Sequence, residues 1–281
     1  MKKSIFHLAA IYFFVSLSSS LLAQTISTDV PDDMDLKKNS QTIRIMTYNI
    51  RACRGLNDTF GLNPTLSGQV ISAVCPDIAA IQEVDRNNKR SQGTDQIRLL
   101  GDMLGLHSYY GKAIDYAEGE YGLGVLTVEE AISVRTVPLP GKEEPRVLLE
   151  VELNDIVLFN THLSLTDSSR SESAKIIHDE INRYDKPIIL TGDMNVSDDQ
   201  EIAQLFGDQW TVLSPIEMTF PSDKPRIRLD FIMITDPTHK IPVNSPILRE
   251  AVLKSSVIPT IASDHRPVYV DLDFDRIKSA L

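Results

Sequence analysis

The chain has 281 residues, with 39 acidic side chains against 28 basic ones and a formal charge of −11 at pH 7. Such an acidic chain is repelled by polyanions at long range, which disfavours tight, sequence-blind binding to duplexes. A small phosphorylated substrate, or a nuclease with a local basic rim, remains compatible with it. The two cysteines, Cys53 and Cys75, lack zinc-ligand spacing and are read as separate thiols.

In chain order, Lys2 and Lys3 form a basic start, Ile5 to Val15 is apolar apart from His7, and Ser16 to Ala23 is rich in small residues. This pattern reads as a secretory signal, residues 1–23, too short and too poorly flanked for a stable membrane span. No Cys follows the apolar run, which argues against a lipid anchor. The expectation is an exported protein, periplasmic or extracellular, without stable membrane insertion. Residues 24–41 are polar and read as a linker. Residues 42–276 read as one catalytic-size domain, with no Gly/Ser-rich break and no visible internal repeat.

Within that domain, Thr42 to Asn49 alternates as a half-buried strand should. Asn63-Pro64 opens a helix running to Val74, and Ile78 to Gln82 is an apolar strand. Thr94 to Leu104 has helical spacing through Ile97, Leu100, Met103 and Leu104. Strands are expected at Gly122–Thr127, Ala131–Val137, Val147–Leu153 and Ile156–Asn160, the last two joined by a tight turn at Asn154-Asp155. Ser168 to Tyr184 is the longest expected helix, with Ile176, Ile177 and Ile181 inward. It precedes a strand at Ile188–Thr191 and a helix at Ser197–Phe206. Leu229–Thr235, Ala251–Ser256 and Pro267–Leu272 close the list of strands. Several pairs are joined too tightly for crossover helices, which excludes an all-parallel sheet and favours a mixed sandwich with helices outside.

The polar residues of interest stand where these strands end. Glu83 follows a buried run, and a carboxylate there needs a partner: a divalent cation or an arginine such as Arg51 or Arg86. Asp193 and Asn195 are two apart, which in an extended segment places both side chains on one face. An acid beside an amide suits a water-activating base and its orienting partner, although Gly-Asp-x-Asn is also good turn chemistry. Asp264-His265 precedes the final strand, Asp230 starts another, and His162 ends a third. A histidine near a phosphate can donate a hydrogen bond or move a proton.

Taken in order, Asn49, Glu83, Asn160/His162, Asp193/Asn195, Asp230 and Asp264/His265 resemble the endonuclease/exonuclease/phosphatase superfamily of metal-dependent phosphoesterases related to deoxyribonuclease I. Gly111-Lys112-Ala113-Ile114-Asp115-Tyr116, Gly119-Glu120-Tyr121-Gly122, Thr219-Phe220-Pro221 and Glu83-Val84-Asp85-Arg86 are further similar to a bacterial branch of it. The resemblance implies a four-layered α/β sandwich with its site at one rim. It implies Glu83, Asn49 and Asp264 at a metal, Mg²⁺ with Mn²⁺ or Ca²⁺ as alternatives. Asp193 becomes the base and Asn195 its partner, His162 and His265 hold the phosphate, and Asp230 orients His265. Arg51 stands where some nucleases of the family carry an acid, which weakens a two-metal reading and makes it a candidate phosphate ligand. Lys112, Tyr121 and Asn160 are the other candidate substrate contacts. The expected activity is hydrolysis of a small or lipid-derived phosphoester by a monomer, as phosphatase or phosphodiesterase. A secreted nuclease, a sphingomyelinase-like enzyme and a catalytically dead binding module are the alternatives, although no long apolar loop suggests bilayer docking.

Overall fold

Alternation along the first strand sets the layering. In β1 (Ile43–Asn49), Ile45 packs into a core shared by two sheets, while the next residue, Met46, packs into a separate core under helices. Both faces of the strand are therefore covered, and nearly every residue in it is buried. The computed structural model describes residues 30, 31, 34–39, 41–58, 61–196 and 198–281; the expected signal segment lies outside the described residues.

After β1 come α1 (Pro64–Val74), β2 (Ile78–Arg86), α2 (Gln96–Leu104), β3 (His107–Tyr116) and β4 (Gly119–Thr127). Asn63 caps α1 by accepting from the Leu66 N–H at 3.2 Å, with Pro64 pre-set for the first turn and Cys75 ending the helix in a left-handed conformation. β5 (Ser133–Leu139), β6 (Arg146–Glu152) and β7 (Val157–His162) follow, then α3 (Asp167–Ile181), β8 (Ile188–Asp193), α4 (Asp199–Phe206), β9 (Thr211–Val212) and β10 (Asp230–Thr235). The chain closes with α5 (Pro246–Ala251), β11 (Val252–Val257), β12 (Val268–Leu272) and α6 (Phe274–Lys278).

One sheet has the order β11-β12-β1-β2-β4-β3 and the other β5-β6-β7-β8-β10-β9. Among the described residues only β1–β2 and β7–β8 are parallel pairs, each joined by a crossover helix. Ile45, Val125, Leu149, Leu158, Ile189 and Val270 fill the space between the sheets. Phe159, Ile177, Leu190, Phe206 and Trp210 pack the outer face of one sheet under α3 and α4; Tyr48, Val70, Ile71 and Leu100 pack the other under α1 and α2. This is the expected four-layered α/β sandwich. No helix among the described residues is long and apolar enough to cross a membrane.

Several details differ from expectation. β3 is an edge strand whose partly exposed residues lack clean apolar alternation. β2 continues four residues beyond Gln82 through a bulge. Met103, one of the residues at helical spacing in α2, is exposed. The domain runs past residue 276, since Ile277 is buried in the inter-sheet core. Part of the expected linker is docked: Met34 and Leu36 pack on the α1/α2 core, and the Leu36 carbonyl accepts from Arg44 at 2.8 Å. Arg44 itself is sealed and makes two bonds to Asp271, at 2.6 and 2.7 Å. The Asn154-Asp155 turn is as expected, closed by Leu153 N–H to the Ile156 carbonyl. Cys53 is buried and Cys75 exposed, both as free thiols; burial pushes the Cys53 thiol up to about 12.

Candidate active site

Register builds one side of the site. His162 of β7 lies opposite Asp193 of β8, and Asp193 lies opposite Asp230 of β10. Residues paired across neighbouring strands share a face, so an imidazole and two carboxylates stand in a row at the sheet's end. His162 Nε2 is 3.4 Å from Asp193 Oδ2, and both side chains are almost wholly buried. The row requires Gly192: its φ is +143°, and a Cβ there would lie 1.9 Å from the Thr161 carbonyl oxygen. Asp193 Oδ1 accepts from the Asn195 backbone N–H at 3.1 Å, while Asn195 turns its amide to the Leu163 carbonyl at 2.8 Å.

A bulge builds the other side. Between the pairs Ile81–Gly124 and Val84–Gly122, β2 carries two residues against one on β4. The bulged Glu83 adopts φ +57°, a conformation that costs energy for a non-glycine residue and is held by its surroundings. Asn49, fully buried at the end of β1, bridges the two sides. Its Nδ2 donates to Glu83 Oε1 and to Asp193 Oδ2, each at 3.0 Å.

The loop before β12 adds the last groups. Ser263 Oγ donates to the Asn49 carbonyl at 2.7 Å, which fixes the loop beside β1. His265 Nδ1 lies 2.9 Å from Asp230 Oδ2, its Nε2 lies 3.6 Å from Asp193 Oδ2, and its ring packs on Phe220. Burial works against charge on His265, but Asp230, Asp193 and Asp264 outweigh it and push the imidazole up to about 10. For His162 burial dominates, reinforced by Arg146 and His265 and only partly opposed by Asp193, so the ring is pushed down to about 4. Two histidines beside one carboxylate are thus set to opposite protonation states, charged His265 and neutral His162.

Ligand atoms of Asp193, Asp230 and His265 lie within 4.8 Å of one another. That closeness is accounted for by the His265–Asp230 hydrogen bond at 2.9 Å and by Asp193 facing the other imidazole nitrogen at 3.6 Å. The better fit to a hard cation is Glu83 with Asp264 and the Asn49 amide. Burial, followed by the charges of Asp264 and Asp193, raises the Glu83 carboxyl above its usual range against the opposing Asn49 bond and His265. Neither arginine considered as its partner pairs with it: Arg86 pairs with Asp95 and Glu120, and Arg51 with Asp264 and Asp58. A partly desolvated carboxylate with no arginine or lysine ion pair among the described residues is what a divalent ion would complete.

The candidate substrate contacts divide. Arg51 stands at the rim, its Nε 3.2 Å from Asp264. Tyr121 lies beside the site; burial, with Glu83 and Glu144, keeps its phenol neutral. Lys112 is instead held by Asp115 at 2.6 Å and Glu120 at 3.5 Å on the exposed side of the β3–β4 hairpin. Asn160 is corrected outright. It is 0% exposed and ties the sheets together: Nδ2 donates to the Ile81 and Gly124 carbonyls, and Oδ1 accepts from Gln82 at 2.7 Å. Its amide clamps the strand that carries the Glu83 bulge and does not reach the mouth. Sequence reasoning missed Arg146, which starts β6, is buried, pairs with Glu143 and Glu144, and shares a small cleft with Tyr121 and His162. A single Arg between acids gives no sequence signal; only the pairing of β6 with β7 brings it to His162.

Two stacked mixed sheets with acids, amides and imidazoles converging at one rim define a phosphoesterase-type sandwich. The chain belongs to the endonuclease/exonuclease/phosphatase family, whose model matches residues 46–265. No curated protein matches it in sequence. Among solved structures it is similar to an endonuclease/exonuclease/phosphatase from Beutenbergia cavernae DSM 12333, with 22% identity and a TM-score of 0.65 over 82% of this chain and 71% of that one. A mannosyl-6-phosphatase from Bacteroides thetaiotaomicron VPI-5482 aligns at 18% identity and TM-score 0.63, over 82% and 99% of the two chains. A humanized D. rerio TDP2 aligns at 15% identity and TM-score 0.59, over 83% and 99%.

Proposed function

We propose that this chain is an exported, divalent-metal-dependent hydrolase of small phosphoesters, acting by in-line attack of water on phosphorus. The observation that carries this reading is the row His162–Asp193–Asp230, joined to His265 and bridged through Asn49 to Glu83. Hydrolysis of a phosphoester needs an aligned nucleophile, neutralised nonbridging oxygens and help for the leaving oxygen. Asp193 is held by Asn49 and Asn195 and accepts the proton of the attacking water. His265, oriented by Asp230, directs positive charge to the phosphoryl oxygens. His162, kept neutral, holds the phosphate from the opposite side of Asp193, and one of the two imidazoles protonates the leaving oxygen. Glu83, Asn49 and Asp264 would hold Mg²⁺, with Mn²⁺ or Ca²⁺ as substitutes, and the bound cation would supply charge neutralisation at the phosphate.

The acidic composition supports a small substrate over a polyanion, and the likeness to a mannosyl-6-phosphatase agrees with it. The test is a screen of phosphomonoesters, phosphodiesters and DNA with Mg²⁺, Mn²⁺ or Ca²⁺, with chelator and Asp193→Ala as controls. Turnover that resists both controls would contradict the reading. Absence of turnover on every substrate and metal would favour a binding module. Cell fractionation of the full chain against one lacking residues 2–23 tests export.

A further inference from the structure

A second cleft, of about 450 Å³, is lined from α4, from β9 and β10 at the edge of their sheet, and from α5. Phe206, Trp210 and Met233 form its buried apolar wall. Val212 and Ile216 also line it and stay open to water, Ile216 at 78% exposure. None of Glu83, Asp193, Asp264 or His265 lines it, so phosphoester chemistry gives these apolar side chains no role.

Charge in this cleft is unevenly matched. Two arginines, Arg228 and Arg249, line it against one acid, Asp199. Arg228 is buried; it pairs with Asp199 at 3.2 Å and donates to the Ser214 carbonyl at 2.9 Å, yet its Nε has no hydrogen-bond partner. Trp210 Nε1 is a second buried donor without an acceptor. Each such donor costs free energy while it stays unpaired, which an entering oxygen would relieve. Arg249 is exposed and has no acid partner among the described residues, because its neighbour Glu250 is taken by Arg276 at 2.8 Å. The walls therefore fit a molecule with an apolar body and one anionic, hydrogen-bond-accepting head. The net charge of +1, two arginines less one aspartate, matches a carboxylate better than a doubly charged phosphate. An arginine fork also matches the two oxygens of a carboxylate.

We infer that this cleft is a binding site for an acyl-chain carboxylate, its head held by Arg249 and Arg228 and its tail by Phe206, Trp210, Val212 and Ile216. Such a tail would also cover the two apolar side chains left open at the rim. The site stands apart from the phosphoesterase reading and does not depend on it. Trp210 is the chain's single tryptophan, so its fluorescence reports on this cleft. The full chain is titrated with decanoate below its micelle concentration, and with decan-1-ol, decyltrimethylammonium and acetate. Decanoate is expected to give a saturable shift and to bind at least about tenfold more tightly than either other ten-carbon probe, as one ion pair would give. Acetate, lacking the tail, should leave the fluorescence unchanged. Arg249→Gln, at an exposed position, is expected to bring decanoate down to the level of decan-1-ol. Ala203→Leu fills the cleft from an exposed helical position, and should weaken decanoate and decan-1-ol alike by about tenfold with an unchanged thermal melt.

Absence of a saturable change with decanoate overturns the inference, as does decan-1-ol binding just as tightly, the sign of an apolar patch without a site for the head. Decanoate binding that both variants leave intact overturns it too, since the molecule would then sit elsewhere. The signal is fluorescence and not turnover, so failure here leaves the hydrolase reading standing, and failure of that reading leaves this site standing.

Discussion

The segments β1-α1-β2-α2-β3-β4 and β7-α3-β8-α4-β9-β10 run through the same elements and give the same local sheet order, a parallel pair followed by two antiparallel strands. Their functional groups are delivered by different means. In the later segment, His162, Asp193 and Asp230 sit side by side through strict register. In the earlier one, Glu83 reaches the mouth only because β2 bulges. A registered row fixes distances between groups that exchange protons. A bulge frees a carboxylate from the sheet's pleat and points it where a cation can sit. One architecture used twice can thus serve both halves of a reaction, provided one copy breaks its own regularity.

The largest expected effect comes from breaking the registered row. Asp193→Ala is expected to lower turnover by about a thousandfold or more while the protein stays folded, measured as kcat beside a thermal melt. Breaking the bulged side should look different: Glu83→Gln is expected to lower activity about a hundredfold and to demand far more Mg²⁺, read from a metal titration of kcat/KM. Gly192→Ala sharpens the contrast, since it attacks the backbone under the row. Its Cβ would meet the Thr161 carbonyl at 1.9 Å, and a loss of about 3 kcal/mol of stability is expected by denaturant melt. Asn160→Ala tests the link between the halves. It strips partners from two buried carbonyls and Gln82, so about 1–3 kcal/mol should be lost, together with Mg²⁺ affinity.

The smallest effect concerns Glu143, which pairs with Arg146. Burial opposes its charge, but bonds from its own N–H, the Leu165 N–H, Ser164 and Arg146 prevail and hold it at about 2 against an ordinary 4.5. A carboxyl depressed by folding contributes stability above its ordinary value and loses it as pH falls toward the depressed one. Stability should decline between pH 4.5 and 2, and Glu143→Gln should flatten that decline in acid melts.

Much of this was readable from the chain. Asn49, His162, Asp193 and Asp230 stand at strand ends, Glu83 where the apolar run of β2 meets its bulge and His265 in the loop before β12, and apolar runs that stop on polar residues reveal such places without knowledge of pairing. What escaped depends on pairing. Asn160 also stands near a strand end, yet lies two residues earlier on the face turned to the other sheet, where its amide is consumed between strands. Arg146 reaches His162 only through β6–β7 contact. The bulge at Glu83 is set by which β4 residues oppose it. β3 was hidden because an edge strand half open to water carries little apolar alternation, and the repeated element order left no trace because the two segments share topology and not residues.

The docked approach to β1 has a practical consequence. The span matched by the family model, residues 46–265, omits β12, the neighbour of both β1 and β11, and with it Asp271, the buried partner of Arg44. A fragment trimmed to that span would lose a central strand of one sheet and leave two others without their shared partner. The recognisable stretch and the packed stretch are different lengths of polypeptide, and expression of this protein should respect the longer one, from Val30 through Leu281.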